Sequence, residues 1–179
     1  MNSHEIAQKL IELANELDPE TLQGRGQSAP DLWEIKIKKG QTIEDTIKEC
    51  EKHFEVWRWT DDNLDQIVNS DRTSEKEYTI KVKANIEADE NLKNMSVNDL
   101  KEKGVKGITL LERLVLELQY FKETGKHLDI ENVTLCSGSR YSDGSVPYVG
   151  WYSSDSKMHV VWFLPDSRYS YLRSRGVVS

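Results

Sequence analysis

Apolar and polar positions alternate with two different periods along this chain, and the switches between them mark its elements. Ile6, Leu10, Leu13, Ala14 and Leu17 share one face of a helical run that opens after Ser3 and closes at Asp18-Pro19, the pattern of a surface helix. Residues 24 to 30 read as loop. Trp33, Ile35 and Ile37 then alternate with Glu34, Lys36 and Lys38, which predicts a half-buried strand stopped by Gly40. Thr42 with Asp45 reads as the cap of a helix carrying Ile43, Ile47, Cys50 and Phe54 on one stripe. A short strand over 55 to 59 and a brief helix capped by Thr60 and running to Val68 follow, then a turn over 69 to 76. The clearest alternation is Tyr78, Ile80, Val82, Ala84 and Ile86 against Thr79, Lys81, Lys83, Asn85 and Glu87, a strand with one wet face.

After a polar stretch over 88 to 106, Thr109 and Glu112 have capping-box spacing. The helix they open, over about 109 to 124, is apolar nearly all round: Leu110, Leu111, Leu114, Val115, Leu116, Leu118, Tyr120 and Phe121, with Gly125 as the stop. Such a helix predicts the central packing element. From Asn132 the pattern becomes strands and turns: strands over 133 to 136, 146 to 152, 158 to 164 and near 172 to 178, separated by turns around Ser142 to Ser145, Ser153 to Lys157 and Pro165-Asp166. The expected fold class is α+β, with an antiparallel meander at the C-terminal end. The expected boundary divides an N-terminal α/β lobe, 1 to 75, from a C-terminal domain, 76 to 179; the lobe could also be part of the same fold.

Composition sharpens the division. Of the 179 residues, 31 are acidic and 24 basic, for a net charge of −7, and the acidic excess lies entirely before residue 127. The aromatics are distributed the other way, with eight of fifteen in the last 53 residues. An acidic chain argues against a protein that mainly neutralises phosphates. Two isolated cysteines, Cys50 and Cys136, supply neither a disulfide framework nor a four-cysteine zinc site. No apolar run approaches membrane-spanning length and Met1 to Leu13 does not read as a signal peptide, so a soluble chain without membrane insertion is expected.

The two-residue period sorts the C-terminal strands into two faces. Pro147, Val149, Trp151, Val160 and Trp162 form the natural core set. The outward set is then Tyr148, Gly150, Tyr152, Val161 and Phe163, with Tyr141, Leu164, Tyr169 and Tyr171 on or beside the turns and Ser142, Ser145, Ser153, Ser154, Ser167 and Ser170 between them. Tyrosine gives a rigid amphipathic contact at low entropic cost, and serine and glycine add adaptable polar contacts, which is how binding loops are composed. The same rings could instead cover a second core face.

The pattern Leu135-Cys136-Ser137-Gly138-Ser139-Arg140, Asp143-Gly144, Val146-Pro147, Trp151, Val160, Trp162, Pro165 and Leu172-Arg173-Ser174-Arg175 resembles the C-terminal variable regions of target proteins of diversity-generating retroelements. The resemblance covers about residues 105 to 179. It implies a C-type-lectin-like scaffold of the formylglycine-generating-enzyme subtype, in which Val149, Trp151, Val160 and Trp162 are fixed and Arg140, Asp143, Arg173 and Arg175 serve as buried or structural polar anchors. It further implies that the outward set is diversified at adenines of its codons. Tyr, Ser, Gly, Val, Phe and Leu are all reachable that way from an asparagine codon, whereas Lys and Met are not, so Lys157 and Met158 are implied fixed. Display on a virion or cell surface, with a macromolecular ligand that is most often a protein, is the implied setting.

Rival chemistries have thinner support. Cys50 and His53 are two ligands without a partner pair, so no metal is expected. The ligand triplets of calcium-dependent sugar-binding lectins are absent. There is no Gly-rich phosphate loop or nucleophile elbow, and Cys136 with His127 or His159 is the one nucleophilic pairing to test; no catalytic residue and no cofactor is expected. Nucleic acid is the stronger rival, through Arg140, Arg168, Arg173 and Arg175 among the tyrosines, yet from residue 135 onward only five basic residues face three acidic ones. The expectation is a non-catalytic binding protein, with a fixed-target docking module as the alternative.

Overall fold

Ten strands and four helices build the molecule over residues 31 to 178, which the structure, a computed structural model, describes. The helix expected over 6 to 17 and the loop at 24 to 30 lie outside the described residues. Strand β1 (Leu32–Ile37) pairs antiparallel with β4 (Tyr78–Lys83), setting Ile35 opposite Ile80, and both isoleucines are buried. Between them come helix α1 (Ile43–Glu51), strand β2 (Val56–Arg58), the one-turn helix α2 (Leu64–Ile67) and strand β3 (Val68–Ser70). Thr42 caps α1 by accepting from the Asp45 amide at 3.1 Å, as its spacing predicts. Helix α2 begins later than expected: Asn63 is its cap, while the Thr60 hydroxyl accepts from the Asp62 amide in the preceding turn.

The stretch 88 to 106 is not merely polar loop. It holds a short 3-10 turn (Glu90–Leu92) and helix α3 (Val97–Glu102), whose cap Ser96 and third residue Asp99 exchange both bonds of a capping box. Helix α4 (Leu110–Thr124) starts from the predicted Thr109–Glu112 box and stops at Gly125, which takes the left-handed φ of 68° needed to turn the chain. Leu110, Leu114 and Leu116 are buried in the main core with Ile35, Ile37 and Ile47, so α4 is the central packing element. It is less oily than expected, because Glu112, Arg113 and Glu117 are also fully buried.

Strands β5 (Val133–Leu135), β6 (Ser139–Tyr141), β7 (Val146–Tyr152), β8 (Lys157–Phe163), β9 (Leu172–Ser174) and β10 (Val177–Val178) complete the chain. The meander is only partly realised. β5, β7 and β8 are antiparallel neighbours, but the five-stranded sheet runs β2-β8-β7-β5-β9 with parallel pairs at both ends, and β10 joins β1 and β4 in a separate sheet. The closing strand breaks at Arg175-Gly176 because each half serves a different sheet. β3 and β6 make a third, two-stranded sheet. Residues 32 to 178 form one compact unit, so across the position expected as a boundary, 75 and 76, the alternative holds: both sides are part of the same fold.

A buried ion network ties these sheets together. The Asp129 carboxylate accepts from Arg113 Nε and Nη2 at 3.0 and 2.8 Å, from Arg175 Nη2 at 2.8 Å, from Thr134 Oγ1 and from the Ala88 amide. Arg113 also donates to Glu117, which receives His127 Nδ1 at 2.9 Å. Burial pushes the Asp129 carboxyl up, but Arg175 and Arg113 outweigh it and hold it below its ordinary value of 3.8.

Candidate functional site

The five-stranded sheet has two faces, and the pleat assigns them as the alternation predicts in its interior. Val149, Met158 and Val160 are fully buried against α1 and α4. Trp151 is half-buried and stacked on His127, their ring centroids 3.3 Å apart. Trp162 departs from the expected core set: it is 40% exposed, because it lies near the end of β8 where only Trp59 meets it edge-on.

The opposite face is divided. Its inner half is a second core, in which Val133, Leu135, Val146, Tyr148 and Leu172 pack against Leu92, Val97 and Leu100 from the 3-10 turn and α3. Four residues expected to point outward are buried, for different reasons. Tyr148 is 8% exposed and lies under α3; Gly150 faces Val133, whose Cγ1 would sit 2.7 Å from an added Cβ. Tyr141 lies in the main core, its ring edge-on to Trp59, and burial pushes its hydroxyl up to about 12. Ser145 is buried because its hydroxyl and amide both close onto Asp143 across the Gly144 turn. The alternation assigns Tyr148 to the face it occupies; what it could not supply was the cover over that ring, which comes from the stretch expected to be loop.

The outer half of this face is open, and it carries a continuous aromatic band. Trp57, 44% exposed, lies against His159 with centroids 5.0 Å apart, and His159 stacks on Tyr152 at 4.0 Å. Tyr152 and Tyr148 hydroxyls meet at 3.4 Å, Tyr148 stacks on Phe163 at 4.5 Å, and Phe163 leads to Tyr169 and Tyr171, which stack on each other at 5.5 Å. Tyr169 and Tyr171 are 43% and 41% exposed. Burial first, then the neighbouring phenols of Tyr152 and Tyr169, raise the Tyr171 hydroxyl above its ordinary range, so the phenol stays neutral near pH 7. Val161 and Ser167 are half-buried at this band, whereas Ser142, Ser153, Ser154, Leu164 and Ser170 are exposed. Trp57 was missed by sequence reasoning, since its place depends on parallel pairing with β8 about a hundred residues away.

At one end the band borders a groove of about 410 Å³ lined by Ile130, Glu131, Asn132, Val133, Trp151, Tyr152, Ser153, Ser154 and Tyr171. Its wall is held rigid from behind. The Glu87 carboxylate accepts from the amides of Ile130, Glu131 and Asn132 at 2.9, 3.1 and 2.9 Å.

Two of the four arginines singled out among the tyrosines are committed to carboxylates. Arg175 is buried on Asp129, and Arg168 forms a two-pronged pair with Asp99 through Nε and Nη2 at 2.7 and 2.6 Å. Arg140 and Arg173 are half-buried, and Asp143 is an exposed residue that holds its turn by accepting from the Ser145 amide and hydroxyl. Cys136 is fully buried, its thiol raised by desolvation and set toward the Thr134 carbonyl, while His127 meets Glu117 and His159 meets Asp155. The Cys50 thiol is pushed up to about 12, chiefly by burial. Among the described residues no group of three His, Cys, Asp or Glu side chains could hold a metal ion, and no helix is long and apolar enough to cross a membrane. Comparison with protein-family models, curated proteins and solved structures finds no match for this chain.

Proposed function

We propose that this is a non-catalytic binding protein that engages a macromolecular ligand, a protein above all, through the open aromatic band and the groove beside Tyr152 and Tyr171. The observation that carries this reading is the run of rings from Trp57 to Tyr171 on a rigid sheet, each partly exposed except the buried Tyr148 that links them, edged by Ser153, Ser154, Ser167 and Ser170. Contiguous apolar surface rimmed by small polar residues marks interaction sites. The pairing of Arg168 and Arg175 with carboxylates leaves the band with little free positive charge, which favours a protein over nucleic acid.

The C-type-lectin-like scaffold and its diversification belong to the same proposal. They are supported by the burial of Val149, Met158, Val160 and Arg175, and they fit less well at the exposed Trp162. The diversified positions are then the accessible ones: Ser142, Tyr152, Ser153, Ser154, Val161, Phe163, Leu164, Ser167, Tyr169, Ser170 and Tyr171. Deep sequencing of the 3′ end of this gene across a natural population tests it. Adenine-directed substitutions concentrated at those codons, with Tyr141, Ser145, Tyr148, Gly150 and the scaffold spared, are the expected result. Sparse, evenly spread variation would discard diversification and leave a docking module with one fixed partner. A Tyr169→Ala, Tyr171→Ala double variant then separates binding from folding: both rings are exposed, so the melting temperature should hold within a few degrees while ligand binding is lost.

A further inference from the structure

Seven arginines lie among the described residues, and five of them pair with carboxylates: Arg58 with Glu44, Arg72 with Glu112, Arg113 with Asp129 and Glu117, Arg168 with Asp99, and Arg175 with Asp129. Arg140 does not. Its Nη1 spends both hydrogens on backbone, donating to the Ser137 and Ser139 carbonyls at 2.8 and 2.6 Å, which clamps the guanidinium plane to the turn between β5 and β6. The Nε and Nη2 edge, the one that grips Glu112 in Arg72 and Asp99 in Arg168, has no partner among the described residues. Nor is it sealed in, since the one buried side-chain nitrogen or oxygen there without a partner is Arg173 Nε. Burial draws the Arg140 guanidinium below its ordinary range, with Asp71 opposing, whereas hydrogen bonds to Glu112 and Asp99 hold Arg72 and Arg168 above theirs. It remains fully charged at neutral pH.

Arg140 lines a pocket of about 350 Å³ together with Lys101 and Asp71, and Val97, Leu100 and Val105 give it an apolar wall. None of these residues lines the groove beside Tyr152, so the site is separate from the aromatic band. We propose that this pocket binds a singly charged carboxylate bearing a short branched apolar group, the carboxylate lying across Arg140 Nε and Nη2 and the apolar part against Val97, Leu100 and Val105. Three features select that chemistry. A fixed guanidinium fork matches the two oxygens of a carboxylate. Arg140 and Lys101 against Asp71 leave one net positive charge, which suits a monoanion better than a doubly charged phosphate. The volume is that of a small-ligand site. The carboxylate can come from a free acid or from the C-terminus of a peptide.

Calorimetric titration of the full chain with 3-methylbutanoate, with 3-methylbutanamide, and with acetyl-Gly-Gly-Leu carrying a free or an amidated C-terminus tests the proposal. The acid should bind saturably and the amides at least tenfold more weakly. A free-carboxylate peptide binding tenfold tighter than the acid identifies a protein tail as the source; binding no tighter than the acid identifies a small molecule. Arg140→Gln should weaken carboxylate binding at least tenfold. Lys101→Ala, at an exposed position, should weaken it several-fold with an unchanged melting temperature, and Asp71→Asn should tighten it. No saturable binding of either carboxylate up to about 10 mM, amides equal to acids, or unchanged affinity in both Arg140→Gln and Lys101→Ala would overturn it. Should Arg140→Gln unfold, the amide comparison and Lys101→Ala decide.

Discussion

At the scale of single residues, the side chains that matter most for stability are charged. Asp129 is fully buried between Arg113 and Arg175, and removing its charge leaves Arg175 without a counter-ion and Arg113 with Glu117 alone. Asp129→Asn should therefore cost about 3–5 kcal/mol, measured by urea denaturation at pH 7. The sign with pH follows from the direction of its shift. A carboxyl held below its ordinary 3.8 when folded stabilises the protein above that value, and the contribution drains away as the pH falls from about 4 toward the depressed folded value. Wild type should lose stability over that window, and Asp129→Asn should lose less of it. The pairing of Asp129 with Arg175 could not be read from neighbours in sequence, because the two stand 46 residues apart and meet only in three dimensions. The tyrosines carry a second prediction. Tyr148→Ala should cost about 3 kcal/mol by opening a cavity beneath α3, and Gly150→Ala about 1–3 kcal/mol by forcing Val133 aside, both read as a shift of the unfolding midpoint.

At the scale of elements, what could be read locally was read. The β1 and β4 alternations, the Thr42 and Thr109 caps, the Gly125 stop and the β7–β8 hairpin all depend on residues within a turn or two of one another. What escaped depends on distant partners. β3 is a strand only because β6 pairs with it, and Ser96 with Asp99 carries a capping signal too short to stand out in a polar stretch. That one omission accounts for the main error at the site, since α3 is what turns Tyr148 from a surface residue into a core residue. The two caps can be compared directly. Thr109→Ala should cost about 1–2 kcal/mol, because its hydroxyl satisfies the Glu112 amide in a buried helix start. The effect should appear in global stability, whereas Ser96→Ala should show first as faster amide exchange confined to α3 and the second core.

At the scale of the whole molecule, the parts are joined by pairings far apart in the chain: β2 with β8, β4 with β10, and β5 with β9. An α+β composition was legible, and so was a helix at the centre, but no local pattern could say that residues 32 to 75 contribute strands to the sheets of the C-terminal part. The break at Arg175-Gly176, which hands β9 to one sheet and β10 to another, has a consequence in time. On the ribosome β2 emerges about a hundred residues before β8, a wait of roughly 5–20 s at ordinary elongation rates, and β4 waits about as long for β10. During that interval β2 has no partner strand, β4 is paired on its β1 side alone, and Trp57 lacks the His159 ring it will lie against. The nascent chain should therefore be a client of holding chaperones until its last strands arrive, and folding should then be completed late and all at once.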